Sequence, residues 1–184
     1  MPYEFQVTRR VEFADTDLAG IMHFSNFFRF METAEHAFLR SLGQSALLSG
    51  SGTELCLPRV HAACDYRSPL YFEDEVIIHL RVLKKTSHRL TYQFHFRRLN
   101  ESPAREVAYG QLTVAGATRQ KDGSLKAAPL APRFAAMIEE APPQLLAARS
   151  NRPAMEADVQ VRDPMTRLGQ NPRNGSRKIK RTKK

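Results

Sequence analysis

The stretch ADTDLAGIMHFSNFF, residues 14–28, gathers the residue types in this chain that could do chemistry. Asp15 and Asp17 sit one residue apart, Gly20 and His23 follow, and a helix-like run opens at about Ser25. A carboxylate can serve as a general base or as a nucleophile. The first amides of a helix have no internal partners and carry the positive end of its dipole. An acid beside a helix N-terminus thus sets an anion and a group of N–H donors in one place. The bland alternative is that Asp17 caps the loop or the helix. Asp15 lies on the same side of an extended chain as Asp17, and a hydrogen-bonding role in the loop suits it better than catalysis. His23 fits a pocket lining and structural packing equally well.

Such residues need elements to hold them. Tyr3, Phe5, Val7, Val11 and Phe13 alternate with polar residues, with Arg9 breaking the apolar side, and predict a half-buried strand. Phe27, Phe30, Met31, Ala34, Phe38 and Leu42 recur at helical spacing. Ser25 or Asn26 can cap that helix and Gly43 can stop it. A helix of about 17 residues would run roughly 25 Å, and a sheet is the obvious surface for it. Four further strands are predicted: 54–67, with Pro58 marking a bulge or edge, then Val76–Val82, Leu90–Phe96, and 106–117 with Gly110 and Gly116 as bends. The short connector KKTSH predicts that the middle two are antiparallel neighbours. A short amphipathic helix is expected at 131–140. One strand, one long helix and four strands make an α+β domain, an antiparallel sheet wrapped around a central helix, which is the hot-dog arrangement.

Composition narrows the classes. The chain has 184 residues, 42% of them hydrophobic, enough for one domain with a core. No apolar run approaches the length of a membrane span, and the N-terminal MPYEFQVTRR lacks the apolar region of a secretion signal. A cytoplasmic location is expected. Cys56 and Cys64 lack the spacing of a zinc site or a disulfide framework, and read as small buried residues. The net charge of +9 is uneven: residues 149–184 hold eleven Lys/Arg against three Asp/Glu. The expected division is a domain over 1–141 and a disordered, Pro-, Arg- and Lys-rich tail over 142–184.

The segment R-V-E-F-A-D-T-D-L-A-G-I-M-H-F-S-N-F-F, residues 10–28, resembles the signature of the 4-hydroxybenzoyl-CoA thioesterase family of hot-dog proteins. The matching positions are Asp15, Asp17, Gly20, Asn26, Phe27 and Phe30. D-Y-R-S-P-L-Y-F-E-D-E-V, residues 65–76, also resembles that family, and the likeness spans about residues 4–140. The resemblance implies an acyl-CoA thioesterase that needs no metal and no redox cofactor. It makes Asp17 the catalytic carboxylate, attacking the thioester carbonyl or activating water, while the helix N-terminus polarises that carbonyl. Gly20 would turn the chain and leave room for substrate, and His23, Phe24 and Ser25 would line the site. Two positions depart from the pattern. Glu35 stands where the family often has a basic residue, and Phe24 offers only its backbone N–H.

Other residues have weaker claims. Glu32 and Glu35 on the helix are reserve carboxylates, or merely solvated ones. Lys84, Lys85 and Arg89, with His88, cluster at a strand turn that could hold CoA phosphates, though a charged turn needs no ligand. The resemblance further implies a homodimer or homotetramer with sites at the subunit interface, and an acyl-CoA or acyl-carrier-protein substrate. The basic tail could hold an anionic partner. Two rivals remain. One is a hot-dog hydratase or dehydratase, whose G-D-x-N-P-x-H pattern does not match the spacing from Asp17 to His23. The other is a non-catalytic hot-dog scaffold that binds nucleic acid through its tail.

Overall fold

Two alternating runs, Val76-Ile78-Leu80-Val82 and Leu90-Tyr92-Phe94-Phe96, decide the architecture, since each places a continuous apolar row on one side of its strand. In the computed structural model, which describes residues 2–44, 48–49, 54–100 and 102–146, these rows are the floor on which the long helix lies. The strands are β1 (Glu4–Arg10), β2 (Leu48–Ser49), β3 (Glu54–Cys56), β4 (Arg59–Tyr66), β5 (Glu75–Lys85), β6 (Arg89–Arg98), β7 (Arg105–Ala115), β8 (Ala117–Arg119) and β9 (Leu125–Ala127). The main sheet runs β1-β5-β6-β7-β4, every neighbouring pair antiparallel. The four short strands pair as β2-β3-β8-β9. Helix α1 (Asn26–Ser41) packs on β1, β4, β5 and β7 of the main sheet.

Helix and sheet meet through the predicted stripe: Phe27, Phe30, Met31, Ala34 and Phe38 are all buried with the four apolar residues of β5 and of β6. Burial of each large side chain contributes on the order of 1.5–3 kcal/mol. Arg9, the residue that interrupts the apolar side of β1, sets its guanidinium 5.0 Å from the centre of the Phe30 ring, a cation–π contact that explains the exception. Gly43 ends α1 as expected. At φ 72° it donates to the Arg40 carbonyl, while Gln44 donates to that of Leu39, the paired bonds of a Schellman stop.

Several expectations are corrected. Gly110 is no bend; it lies within β7, where a Cβ would come 2.3 Å from Met31 Sδ, so its role is to let the helix approach the sheet. The 54–67 strand breaks into β3 and β4 at Leu57–Pro58, since Pro58 has no N–H to pair. On β4, Val60 and Tyr66 are 53% and 47% exposed, because β4 is the outer strand of the sheet. The 131–140 helix shrinks to one turn, α2 (Pro132–Ala135). Beyond it the chain is drawn along the end of β5, where Ala141 N–H donates to the Val82 carbonyl and leaves Ile138 buried. Cys56 and Cys64 form no disulfide and are partly rather than fully buried. Past residue 141 the described chain continues through α3 (Pro143–Leu146), whose Leu145 carbonyl accepts from Arg81. The rest of the expected tail, 147–184, lies outside the described residues. Among the described residues no helix is long and apolar enough to cross a membrane.

Candidate active site

The D-x-D segment folds as the first arm of a tight hairpin. Asp15 O accepts the His23 N–H at 2.8 Å, Thr16 bridges Met22, and Asp17 N–H donates to Ile21 O at 2.9 Å. Asp15 therefore faces His23, and Asp17 faces Ile21, in antiparallel register. Closing so short a hairpin requires a left-handed residue, and Gly20 supplies it at φ 73° with its N–H on the Asp17 carbonyl. The hairpin is fixed to the fold through Met22 N–H on Leu70 O and the Ile21–Tyr71 bridge.

The two carboxylates are used differently. Asp15 Oδ2 accepts the Glu12 N–H at 3.0 Å, closing the 3-10 turn Phe13–Asp15. Asp17 Oδ1 accepts the Ala19 N–H at 2.8 Å, and its Oδ2 has no hydrogen-bond partner among the described residues. Asp17 is thus oriented through one oxygen and leaves the other available.

The chain then enters α1 in a way that spares donors. Neither expected cap caps: Ser25, at the N-cap position, turns its hydroxyl to His23 Nδ1 at 2.8 Å, and Asn26 sends its side-chain amide back to the Asp15 carbonyl, also at 2.8 Å. The Ser25 amide lies 3.4 Å from the same imidazole nitrogen. With two donors facing Nδ1, the imidazole proton belongs on Nε2. The Phe24 amide donates to no acceptor among the described residues. Phe24 is otherwise well held. Its carbonyl accepts the Tyr66 hydroxyl at 3.1 Å and its ring lies 4.4 Å from that of His23. Burial, with the neighbouring Cys64, pushes the Tyr66 phenol up to about 12, so it remains a donor at neutral pH. Tyr66 also meets Phe27 edge-on at 5.1 Å.

Asp17, Gly20, His23, Phe24 and Ser25 therefore share one hairpin and helix start. Lys84, Lys85 and Arg89 do not join them. Phe27 packs on Phe96 while Phe38 packs on Tyr92, so α1 begins at the Phe96 end of β6, and Arg89 is at the other. The seven residue steps from Arg89 to Phe96 cover ~23 Å at about 3.3 Å per residue. Lys85 is also engaged elsewhere, since its ammonium donates to the carbonyls of Ala135 and Ile138. Two of its three donors are thus held by the end of α2 and the chain just beyond it. Lys84 and Arg89 are exposed.

The reserve carboxylates sit further along the helix, bound to a strand. Arg59 Nη2 on β4 donates to Glu35 Oε2 at 2.7 Å and lies 3.0 Å from Glu32 Oε1. Glu35 is 2% exposed, and burial pushes its carboxyl up to about 7 against the pull of Arg59. The Tyr66 hydroxyl on Phe24 and the Asn26 amide on Asp15 are the contacts of the site that sequence reasoning did not foresee. An Asn following a serine at a helix start was the only local sign of the second.

The chain is similar to known proteins over this region. A family model described as the thioesterase superfamily matches residues 19–103. A protein of Aquifex aeolicus (strain VF5) that carries an esterase name is 36% identical over 95 residues, 51% of this chain and 71% of its own length. A 1,4-dihydroxy-2-naphthoyl-CoA hydrolase of Prochlorococcus marinus (strain MIT 9303) is 30% identical over 128 residues, 65% of this chain and 84% of the relative. Among solved structures, a gentisyl-coenzyme A thioesterase is 27% identical with a TM-score of 0.59, covering 71% of this chain and 98% of that one. The 4-hydroxybenzoyl CoA thioesterase of Pseudomonas sp. strain CBS-3 is 14% identical and shares the fold, with a TM-score of 0.64 over 74% of this chain and 99% of its own.

Proposed function

The chain belongs to the thioesterase superfamily and is a thioester hydrolase; from that premise we propose that it cleaves an aromatic acyl-CoA with Asp17 as the reacting carboxylate. The observation that carries this reading is the half-occupied Asp17 carboxylate, one oxygen held by Ala19 and the other without a partner among the described residues, in the hairpin that leads into α1. The thioester carbonyl would lie against the Phe24 amide at the helix entrance, where a developing oxyanion finds a donor and the helix dipole. Asp17 Oδ2 then adds to the carbonyl carbon and expels the thiolate, and water opens the resulting anhydride. Alternatively, Asp17 takes a proton from the water that attacks. Either route consumes one water and yields one acid and one thiol. The aromatic preference rests on the named relatives, which act on aryl-CoA thioesters, and on the half-exposed rings of Phe24 and Tyr66 at the entrance.

The same reading includes a homodimer. The outer edge of β4 has no neighbouring strand among the described residues, and an open edge is a template for a second chain. A partner there would lie beside Tyr66, and hence beside Phe24. Lys84 and Arg89, at the far end of the sheet, would then meet the CoA phosphates at the site of the other subunit.

Thiol release measured over short, long and aromatic acyl-CoAs tests the function. Turnover should be highest on the aromatic substrates and fall at least about 100-fold in Asp17→Asn, whose amide can neither attack nor accept a proton as a carboxylate does. Near-normal turnover in a folded Asp17→Asn protein would move the chemistry to another residue, and a higher rate on aliphatic thioesters would remove the aromatic assignment.

A further inference from the structure

The return arm of the Asp17 hairpin is paired on both sides. On one side Ile21 O accepts the Asp17 N–H and the His23 N–H donates to Asp15 O. On the other, Met22 N–H donates to Leu70 O at 2.7 Å and Ile21 bridges Tyr71. Residues 15–17, 21–23 and 70–71 therefore make a small three-stranded ladder with Asp17 on its far edge. Whatever holds the Leu70–Tyr71 segment also sets where Asp17 stands.

That segment opens a reverse turn, Tyr71 to Asp74, closed by the Asp74 N–H on the Tyr71 carbonyl at 3.0 Å. Its third residue, Glu73, has φ 68°, a conformation that ordinarily goes to glycine. Such strain persists only where the surroundings over-determine it. Here Glu73 N–H donates to Val11 O and Asp74 O accepts the Val11 N–H, each at 2.9 Å. The Asp74 side chain then folds back over the turn, and its Oδ2 accepts the Tyr71 N–H at 2.8 Å. Asp74 is 6% exposed, and Arg98, 8% exposed at the end of β6, sets Nη1 3.4 Å from the same oxygen. A buried ion pair adds little net stability over apolar packing; what it can fix is one geometry.

We propose that Asp74 is a positioning residue for thioester hydrolysis: by holding the Tyr71 amide it fixes the Leu70–Tyr71 segment and, through Ile21, the placement of Asp17. The inference rests on Asp17 as the reacting carboxylate. Arg98 neutralises the buried charge, and the bond to Tyr71 carries the effect.

The kinetics of three substitutions on aryl-CoA thioesters separate that bond from the charge. Asp74→Ala loses both. Asp74→Asn keeps an oxygen that can accept the Tyr71 N–H but loses the charge. Asp74→Glu keeps the charge but carries it one methylene away. Because small misplacement of a reacting group is expensive, kcat should fall at least about 10-fold in Asp74→Ala and Asp74→Glu, with KM within about 2-fold of normal. Asp74→Asn should recover most of kcat although its stability is reduced. The order of Asp74→Asn above Asp74→Glu is readable even if Asp74→Ala does not fold. Leu130→Ala, a core change beside the Ser87 turn at the opposite end of the sheet, should lower stability and leave kcat alone. Normal kcat in folded Asp74→Ala, a lower kcat in Asp74→Asn than in Asp74→Glu, or a loss in Leu130→Ala as large as in Asp74→Ala would each overturn the proposal. Asp17→Asn measured alongside keeps the two claims apart. Normal turnover in it removes the Asp17 reading and this proposal together, whereas low turnover in it with full kcat in Asp74→Ala removes this proposal alone.

Discussion

Asn26 Nδ2 donates to the Asp15 carbonyl at 2.8 Å, tying the first residue of α1 to the loop that carries Asp17. Asp15 O also receives the His23 amide, so the Asn26 bond is not needed to satisfy that carbonyl. What it fixes is the position of the helix start relative to the hairpin. Asn26→Ala should therefore cost only about 0.5–1.5 kcal/mol of stability. Its effect on turnover should be larger, roughly 10- to 100-fold in kcat, because small misplacement of reacting groups is expensive. Melting temperature and kcat measured on the same sample check this, and parallel small losses in both would reduce Asn26 to a structural residue.

The Glu35–Arg59 pair predicts an unusual pH dependence. The folded chain holds the Glu35 proton up to about pH 7, where burial has raised its carboxyl, whereas an unfolded glutamic acid loses it at about 4.5. Between those values the native state binds more protons than the unfolded state, so stability falls as pH rises. The difference amounts to on the order of 3 kcal/mol at most, at about 1.36 kcal/mol per pH unit. Glu35→Gln cannot ionise and should lose this slope, while Glu32 remains beside Arg59 at 3.0 Å. Urea unfolding of both proteins at pH 4.5 and pH 8 measures it; identical slopes would mean that Arg59 fully compensates the buried charge.

Gly110 and Met31 make a pair that can be tested as a cycle. A Cβ on Gly110 would meet Met31 Sδ at 2.3 Å, so Gly110→Ala should destabilise by about 1–3 kcal/mol through overpacking. In a Met31→Ala background the obstruction is gone and the same change should cost little. Non-additivity of the two substitutions, read from denaturant midpoints, is the expected signature. An additive result would point to backbone conformation rather than contact.

What the sequence disclosed was what is local. The hairpin that presents Asp17, its turn at Gly20, and α1 with its stop at Gly43 are each written within a few consecutive residues, where spacing and turn chemistry act directly. The strand rows were equally plain, because alternation needs no knowledge of the partner. The burial of Glu35 could have been read, since it falls on the buried stripe between Met31 and Phe38. Its partner Arg59 could not, because a strand 24 positions away supplies it. The partners of Lys85 were hidden for the same reason: the carbonyls that take its ammonium lie 50 and 53 residues on. Gly110 was misread as a bend because a glycine that relieves crowding and one that turns the chain look alike until the facing side chain is known.

Lys84 and Lys85, adjacent in sequence, should behave differently when changed. Lys85→Met removes donors from the Ala135 and Ile138 carbonyls and should lower stability by about 1–3 kcal/mol, leaving KM for acyl-CoA near normal. Lys84→Met should do the reverse, sparing stability and raising KM several-fold at low salt, where an exposed charge acts most strongly on phosphates. Equal KM effects would return Lys85 to the binding site.

The separation of Asp17 from Lys84 and Arg89 allows a complementation test of the proposed subunit arrangement. Asp17→Asn protein lacks the reacting carboxylate but keeps Lys84 and Arg89; a Lys84→Gln/Arg89→Gln protein keeps Asp17 but binds CoA poorly. If each site draws Asp17 from one protomer and the cations from its partner, a mixed dimer contains one site with both sets intact. After unfolding and refolding an equal mixture, about a quarter of all sites should be complete, as expected for random pairing in a two-fold dimer. A low-KM component of thiol release, absent from either protein alone, should then appear. Mixing without unfolding should produce it slowly or not at all, at the rate of subunit exchange. If activity after co-refolding is only the sum of the two parents, the cations do not serve the partner's site, and Lys84 and Arg89 are surface charges at a strand turn.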